Sequence, residues 1–166
     1  MLSLLEMRGT NLNLETVNVC SAACVFCASR KFKRRKQLMS MALFQKICCD
    51  YKDMGGGWLG FSPVMSDPLL DDLLFDRIRY VQDKGFGFTL HMFTNAIKFK
   101  SYSDDELRFV LKSLDMINIS LAGPTPESYK LMYGVNQFNN VMDNCTGSPT
   151  SGKMNVTAPV WPYIFV

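Results

Sequence analysis

Histidine occurs only once in these 166 residues, at His91, and no second C-x2-C pair accompanies the one formed by Cys24 and Cys27. Both shortages weigh against a structural zinc site, which takes four nitrogen or sulfur ligands, commonly as two separated pairs. No apolar run approaches the length of a membrane span, and MLSLLEMRGTNLNLE at the start has no basic region followed by a sustained apolar stretch. The expectation is a cytoplasmic protein that makes no use of a membrane. In such a reducing compartment, six cysteines point to metal binding before disulfides. Net charge is also small, +3, but unevenly spread. Six positive charges stand in RKFKRRK, residues 30–36, which leaves 12 basic against 15 acidic residues elsewhere. No recognisable nucleic-acid-binding fold surrounds that run, so a solvated loop leading into the next helix is preferred over a polyanion contact. Its place directly after a cysteine-rich loop also suits it to meet an anionic part of a substrate.

What the chain does have is 48% hydrophobic and 12% aromatic residues, enough for one well-packed domain. It also has Cys20, Cys24 and Cys27 in VNVCSAACVFC, a C-x3-C-x2-C spacing that offers three thiolates within eight residues. Ser21, Ala22 and Ala23 are small enough for the backbone to fold closely around an inorganic centre. A cubane iron-sulfur cluster normally takes four cysteines. With three, one iron keeps an open position where a small molecule can bind. The next cysteines, Cys48 and Cys49, are adjacent inside a helical pattern, and together with Cys145 they read as packing residues.

From residue 12 to about 145, strand-like and helix-like segments alternate, the pattern of a parallel α/β sheet or barrel. Strands are expected at Leu12 to Val19, Trp58 to Val64, Phe86 to Phe93 and Met116 to Leu121. Helices are expected at Met41 to Lys52 with Ser40 as N-cap, at Leu69 to Lys84, and after Ser103, whose first turn carries Asp104, Asp105 and Glu106. Thr125-Pro126-Glu127 opens another helix, with Pro126 suited to its first position, and a short one follows from Gln137 to Asn144. The domain expectation is a core over residues 1–145 and an irregular tail over 146–166. That tail has room for a fifth strand, although Pro159 and Pro162 favour an edge.

In barrels of parallel strands, active sites lie at the C-terminal strand ends. Cys20 follows the first strand, Ser66 and Asp67 the second, and Asn95 the third, while Ser120 closes the fourth, so all fall on one rim. With these residues in order, the chain resembles the radical SAM enzymes, whose signature has the same cysteine spacing and an aromatic residue where Phe26 stands. Met65-Ser66-Asp67-Pro68 resembles the family's Gly-Gly-Glu-Pro segment. Thr94-Asn95-Ala96 is similar to its Thr-Asn-Gly, and Asn118-Ile119-Ser120-Leu121-Ala122-Gly123 to its Ser-Leu-Asp-Gly. Tyr133 stands where many relatives have an arginine.

The resemblance implies a 4Fe-4S cluster held by Cys20, Cys24 and Cys27. It implies S-adenosyl-L-methionine (SAM) bound through Phe26, Ser66, Asp67, Asn95 and Ser120, and a 5′-deoxyadenosyl radical that abstracts hydrogen from a substrate. The relatives it most resembles carry a SPASM extension and often modify peptides or proteins, which makes a peptide or protein the implied substrate and an electron donor a necessary partner. His91 reads as a strand residue. A complete barrel takes about 250 residues for eight units, and the resemblance implies a partial barrel of about six; here four are clear, and signals for a fifth strand lie in the tail. The fold expected is thus an incomplete TIM-like barrel, from a fragment, a truncated product, or a protein whose open edge a partner chain covers. Two other functions compete: a non-catalytic cluster-binding remnant or interaction module, and a polyanion-binding protein using residues 30–36.

Overall fold

The computed structural model describes residues 10–31, 33–61, 65–146 and 154–157. Five parallel strands lie side by side in chain order: β1 (Thr10–Asn13), β2 (Gly57–Phe61), β3 (Thr89–Thr94), β4 (Met116–Ser120) and β5 (Met154–Thr157). Between them run α1 (Met41–Asp53), α2 (Leu74–Asp83), α3 (Asp104–Ser113), α4 (Pro126–Tyr133) and α5 (Phe138–Thr146). Among the described residues, β1 pairs only with β2 and β5 only with β4, so the sheet is an incomplete barrel that does not close.

Local chemistry explains most of the boundaries. Ser40 caps α1 by accepting from the Leu43 amide. Ser103 and Glu106 form a reciprocal capping box at α3, and Thr125 and Ser128 form another at α4 with Pro126 in its first turn. One face of the sheet packs under the helices. Leu59 and Phe61, Leu90 and Met92, and Ile117 and Ile119 alternate along β2, β3 and β4 and are buried against Phe44, Ile78, Leu111 and Tyr129 from the helix layer. Each such side chain contributes about 1.5–3 kcal/mol by leaving water.

Three expected elements are shorter than their hydrophobic patterns, and one is the third strand, expected from Phe86 but beginning at Thr89. The first strand ends at Asn13 and not at Val19. Beyond it the chain leaves β2 and instead pairs Val17 with Leu38 in an antiparallel bridge, with the Met39 amide donating to the Thr16 carbonyl. The helix expected from Leu69 begins at Leu74, after a separate 3-10 turn at Pro68–Leu70. Asp71 makes that break: its backbone is extended, and its carboxylate accepts from the Leu73 amide and the buried Arg77 guanidinium. An Asp that satisfies a nearby amide through its side chain offers the backbone an alternative to helix.

The basic run is a surface feature. Lys33, Arg34, Arg35 and Lys36 are exposed, Arg34 pairs with Glu15 at 2.7 Å, and Asn18 holds the segment by donating to the Arg35 carbonyl and accepting from the Gln37 amide. Of the cysteines outside the motif, Cys48 is fully buried in the core, whereas Cys49 is exposed.

Candidate active site

The C-terminal ends of β1 to β4 open into a cavity of about 270 Å³. Cys20, Cys24 and Cys27 line it, as do Phe26, Ser66, Asp67, Asn95 and Ser120. Eight side chains spread over 101 positions of sequence therefore meet in one hollow. The topology does this: parallel strands in chain order carry every strand-end loop to the same edge.

A circuit of hydrogen bonds ties three of these loops together. The Asp67 amide donates to the Val19 carbonyl at 2.9 Å, joining the loop after β2 to the one after β1. The Asp67 carboxylate accepts from the Asn95 amide at 2.8 Å and from the Thr94 hydroxyl at 2.9 Å, joining β2 to β3. The Asn95 side chain donates to Ser21 Oγ at 3.2 Å and points a second contact at Cys20 Sγ at 3.5 Å, closing the ring on the cysteine loop. Asp67 also caps the 3-10 turn through the Leu69 amide at 3.0 Å. Its carboxylate, 1% exposed, is thus largely engaged by the protein itself, a feature the motif alone does not reveal. Burial pushes its pKa up, against the opposing pull of the donors from Asn95, Leu69 and Thr94.

The cysteine loop is held from its other side by α4. The Ala23 and Val25 amides donate to the Tyr133 and Met132 carbonyls, each at 2.9 Å, so the last turn of the helix satisfies the loop's backbone. Gly134 permits this approach. It closes α4 at φ 68°, and a Cβ placed there would lie 2.7 Å from the Ala23 carbonyl oxygen. Tyr133 also lines the cavity, with its ring edge-on to Phe26 at 6.1 Å and stacked on Tyr129 at 4.5 Å. Thr94 and Phe93 complete the wall beside Asn95. The signal for Thr94 lay beside Asn95 in the chain. Tyr133 was marked only by standing at the position of the relatives' arginine, and its contact with the loop depends on how α4 docks.

All three cysteines line this cavity, and among the described residues no three His, Cys, Asp or Glu side chains are arranged to hold a single metal ion. A cluster takes one thiolate at each of its separate irons, a demand that three cysteines of one loop can meet. No disulfide forms among the described residues. Cys20 keeps part of its surface open, yet the protein packed behind it pushes its thiol pKa up; burial, then the neighbouring Cys20 and Cys27 sulfurs, push Cys24 up to about 11. Cys20 and Cys24 shed their protons together only when a cationic centre offsets their mutual repulsion.

Comparison with known proteins agrees with this geometry. The family model for the Radical SAM superfamily matches residues 14–147. A curated relative, the probable GTP 3′,8-cyclase of Methanothermobacter thermautotrophicus, is 22% identical over 142 residues, which are 86% of this chain and 45% of that protein. Among solved structures, BtrN in complex with AdoMet and 2-DOIA superposes with a TM-score of 0.67 at 17% identity, covering 91% of this chain and 57% of its own. Streptococcus suis SuiB bound to the precursor peptide SuiA gives 0.68 at 15% identity, covering 92% and 33%. The chain therefore spans less than half of the curated relative and between a third and three-fifths of these structures.

Proposed function

This chain belongs to the radical SAM superfamily, whose members use a 4Fe-4S cluster and S-adenosylmethionine, and from that premise we propose that it is the cofactor-binding part of an enzyme that abstracts hydrogen from a peptide or protein substrate. The observation that carries this reading is the single cavity shared by the three cysteines and the ends of β2, β3 and β4. Cys20, Cys24 and Cys27 would hold the cluster through their thiolates. Bound there, the cluster supplies one electron and SAM the hydrogen-abstracting radical.

The chain's own residues do the rest. Asn95, anchored through its amide to Asp67, presents its carboxamide at the boundary between the cysteine loop and the open cavity. Ser66 and Ser120 supply hydroxyls on the same wall, and Phe26 with Tyr133 supplies an aromatic corner for a flat ring. Asp67 acts chiefly by positioning, since its oxygens are occupied by Leu69, Thr94 and Asn95. Residues 1–145 are the part we assign to cofactor binding, and Met154–Thr157 of the following segment pairs with β4 as β5. Support for a peptide substrate comes from SuiB, solved with its precursor peptide.

Anaerobic reconstitution tests the reading. Iron and sulfide should bind near four of each per chain, the reduced cluster's EPR signal should change when SAM is added, and 5′-deoxyadenosine should accumulate with reductant. A protein that takes up no cluster overturns the cofactor assignment. A cluster that responds to SAM but never cleaves it would instead identify a non-catalytic remnant.

A further inference from the structure

The inner face of the sheet, opposite the helices, carries a second group of polar side chains that the cofactor site does not use. Asn13, His91 and Asn118 project there from β1, β3 and β4, each a strand position that alternates with the helix-facing core. None of the five strands contains a charged residue. This face is polar without being ionic.

Its geometry is specific. Asn13 and His91 flank Gly60 in register, and their side chains meet above it at 3.1 Å, His91 Nε2 to Asn13 Oδ1. A Cβ on residue 60 would lie 2.3 Å from that oxygen and 2.4 Å from that nitrogen, so glycine is what lets the pair form. Because Asn13 Oδ1 can only accept, Nε2 carries the proton and Nδ1 is left as a bare acceptor. Nδ1 has no hydrogen-bond partner although the ring is only 2% exposed. Asn118 Nδ2, on a side chain 6% exposed, is likewise a donor without a partner.

An unpartnered buried donor or acceptor is costly, and here one of each occurs on adjacent strands of one face. In register, Asn118 sits opposite Phe93, two residues beyond His91, which places the two Cα atoms about 8 Å apart by strand spacing and rise. Trp58 and Phe93 flank the imidazole edge-on, at 5.7 and 6.0 Å between ring centroids. Both rings are more than a third exposed, so this edge of the imidazole lies beside solvent-facing aromatic surface. Phe93 and Ser120 also line the cofactor cavity, which makes the two regions continuous along β3 and β4.

We infer that His91 and Asn118, between Trp58 and Phe93, form a substrate subsite that takes an uncharged amide, its N–H donated to His91 Nδ1 and its carbonyl accepting from Asn118 Nδ2. The inference rests on the reading of the neighbouring cavity as the reaction centre. An acceptor and a donor side by side match a primary amide, whose carbonyl and syn N–H point the same way, or the N–H and carbonyl of one extended residue, since within a single trans peptide group the two point apart. Burial lowers the His91 pKa, which keeps the imidazole neutral and Nδ1 free to accept. A phosphate or carboxylate finds no cation on these strands, and its approach would leave Nδ1 facing another acceptor.

His91 is the only histidine, so its ring nitrogens can be followed without assignment ambiguity in the ¹⁵N-labelled chain. Long-range ¹H–¹⁵N correlation spectra should show the Nε2–H tautomer with a bare Nδ1. Titration with N-acetylglycinamide to high millimolar concentration should move Nδ1 toward its hydrogen-bonded position, and sodium acetate or inorganic triphosphate should not. Asn118→Ala should leave the probe-free His91 spectrum unchanged, which reports an intact fold, and weaken the amide response about tenfold. A protonated Nδ1 in the free chain, no movement with the amide, or equal movement with triphosphate overturns the subsite. Iron uptake measured on the same protein separates that failure from failure of the cofactor assignment, since the spectra need no cluster.

Discussion

Replacing Asp67 with Ala separates a residue that holds the rim together from one that only touches a ligand. The carboxylate accepts from the Leu69 amide, the Thr94 hydroxyl and the Asn95 amide, all within a site 1% exposed. Thr94 can turn its hydroxyl elsewhere, but the two amides cannot move without moving the backbone. Each of the two amides left without an acceptor costs about 1–3 kcal/mol, so the variant should lose about 2–6 kcal/mol. With a urea dependence of about 2 kcal/mol per molar, the unfolding midpoint should fall by about 1–3 M. Circular dichroism during urea titration measures it, and SAM affinity should fall as well because Asn95 loses its anchor. Coincident midpoints for variant and parent, with only SAM binding changed, would refute the positioning role. The carboxylate also sets a pH dependence. Burial raises its folded pKa, so its proton contributes stability fully below the unfolded value near 3.8, and that contribution is lost as pH rises through the higher folded value. Asp67→Asn cannot ionise, and its stability relative to the parent should therefore rise across that window.

Three further perturbations probe other supports. Gly134→Ala forces a side chain into left-handed backbone and against the Ala23 carbonyl; it should cost about 1–2 kcal/mol and reduce iron retention, as melting and metal analysis would show, and unchanged iron would mean the α4 contact does not shape the loop. Cys24→Ala should abolish stable cluster binding, since two thiolates cannot hold the cube, and undiminished iron and sulfide would remove Cys24 from the ligand set. Arg77, 0% exposed, pairs with Asp71 at 2.8 Å, so Arg77→Ala should destabilise by about 3–5 kcal/mol by leaving a buried carboxylate unpaired, while Asp71→Asn with Arg77→Met should recover much of that loss in a double-variant cycle.

Several parts of the molecule were readable from local chemistry. Ser40, Ser103, Thr125 and Pro126 start helices because a side-chain oxygen or a fixed φ acts within one turn. The alternation of apolar residues along β2, β3 and β4 needed only the period of a strand to identify its helix-facing side. Boundaries were less legible where a distant partner competes for the backbone. Leu14 to Val19 has strand character, yet its pairing passes from β2 to the segment around Leu38, and Asp71 interrupts a helical pattern by engaging Arg77.

The same division runs through the site. Cys20, Cys24 and Cys27 announce themselves because their ligand geometry is encoded in seven intervening steps of chain, and strand order brings Ser66, Asp67, Asn95 and Ser120 to their edge. What each does there depended on tertiary contacts. The sequence determined the cysteine spacing and the alternating strands and helices, since both are set by residues close in the chain. Only the folded sheet decided that Asp67 is engaged by Thr94 and Asn95, that α4 holds the cysteine loop through Gly134, and that His91 and Asn118 keep bare polar atoms on the inner face. Those outcomes depend on hydrogen bonds between residues tens of positions apart, whose strength is set by burial that no local pattern encodes.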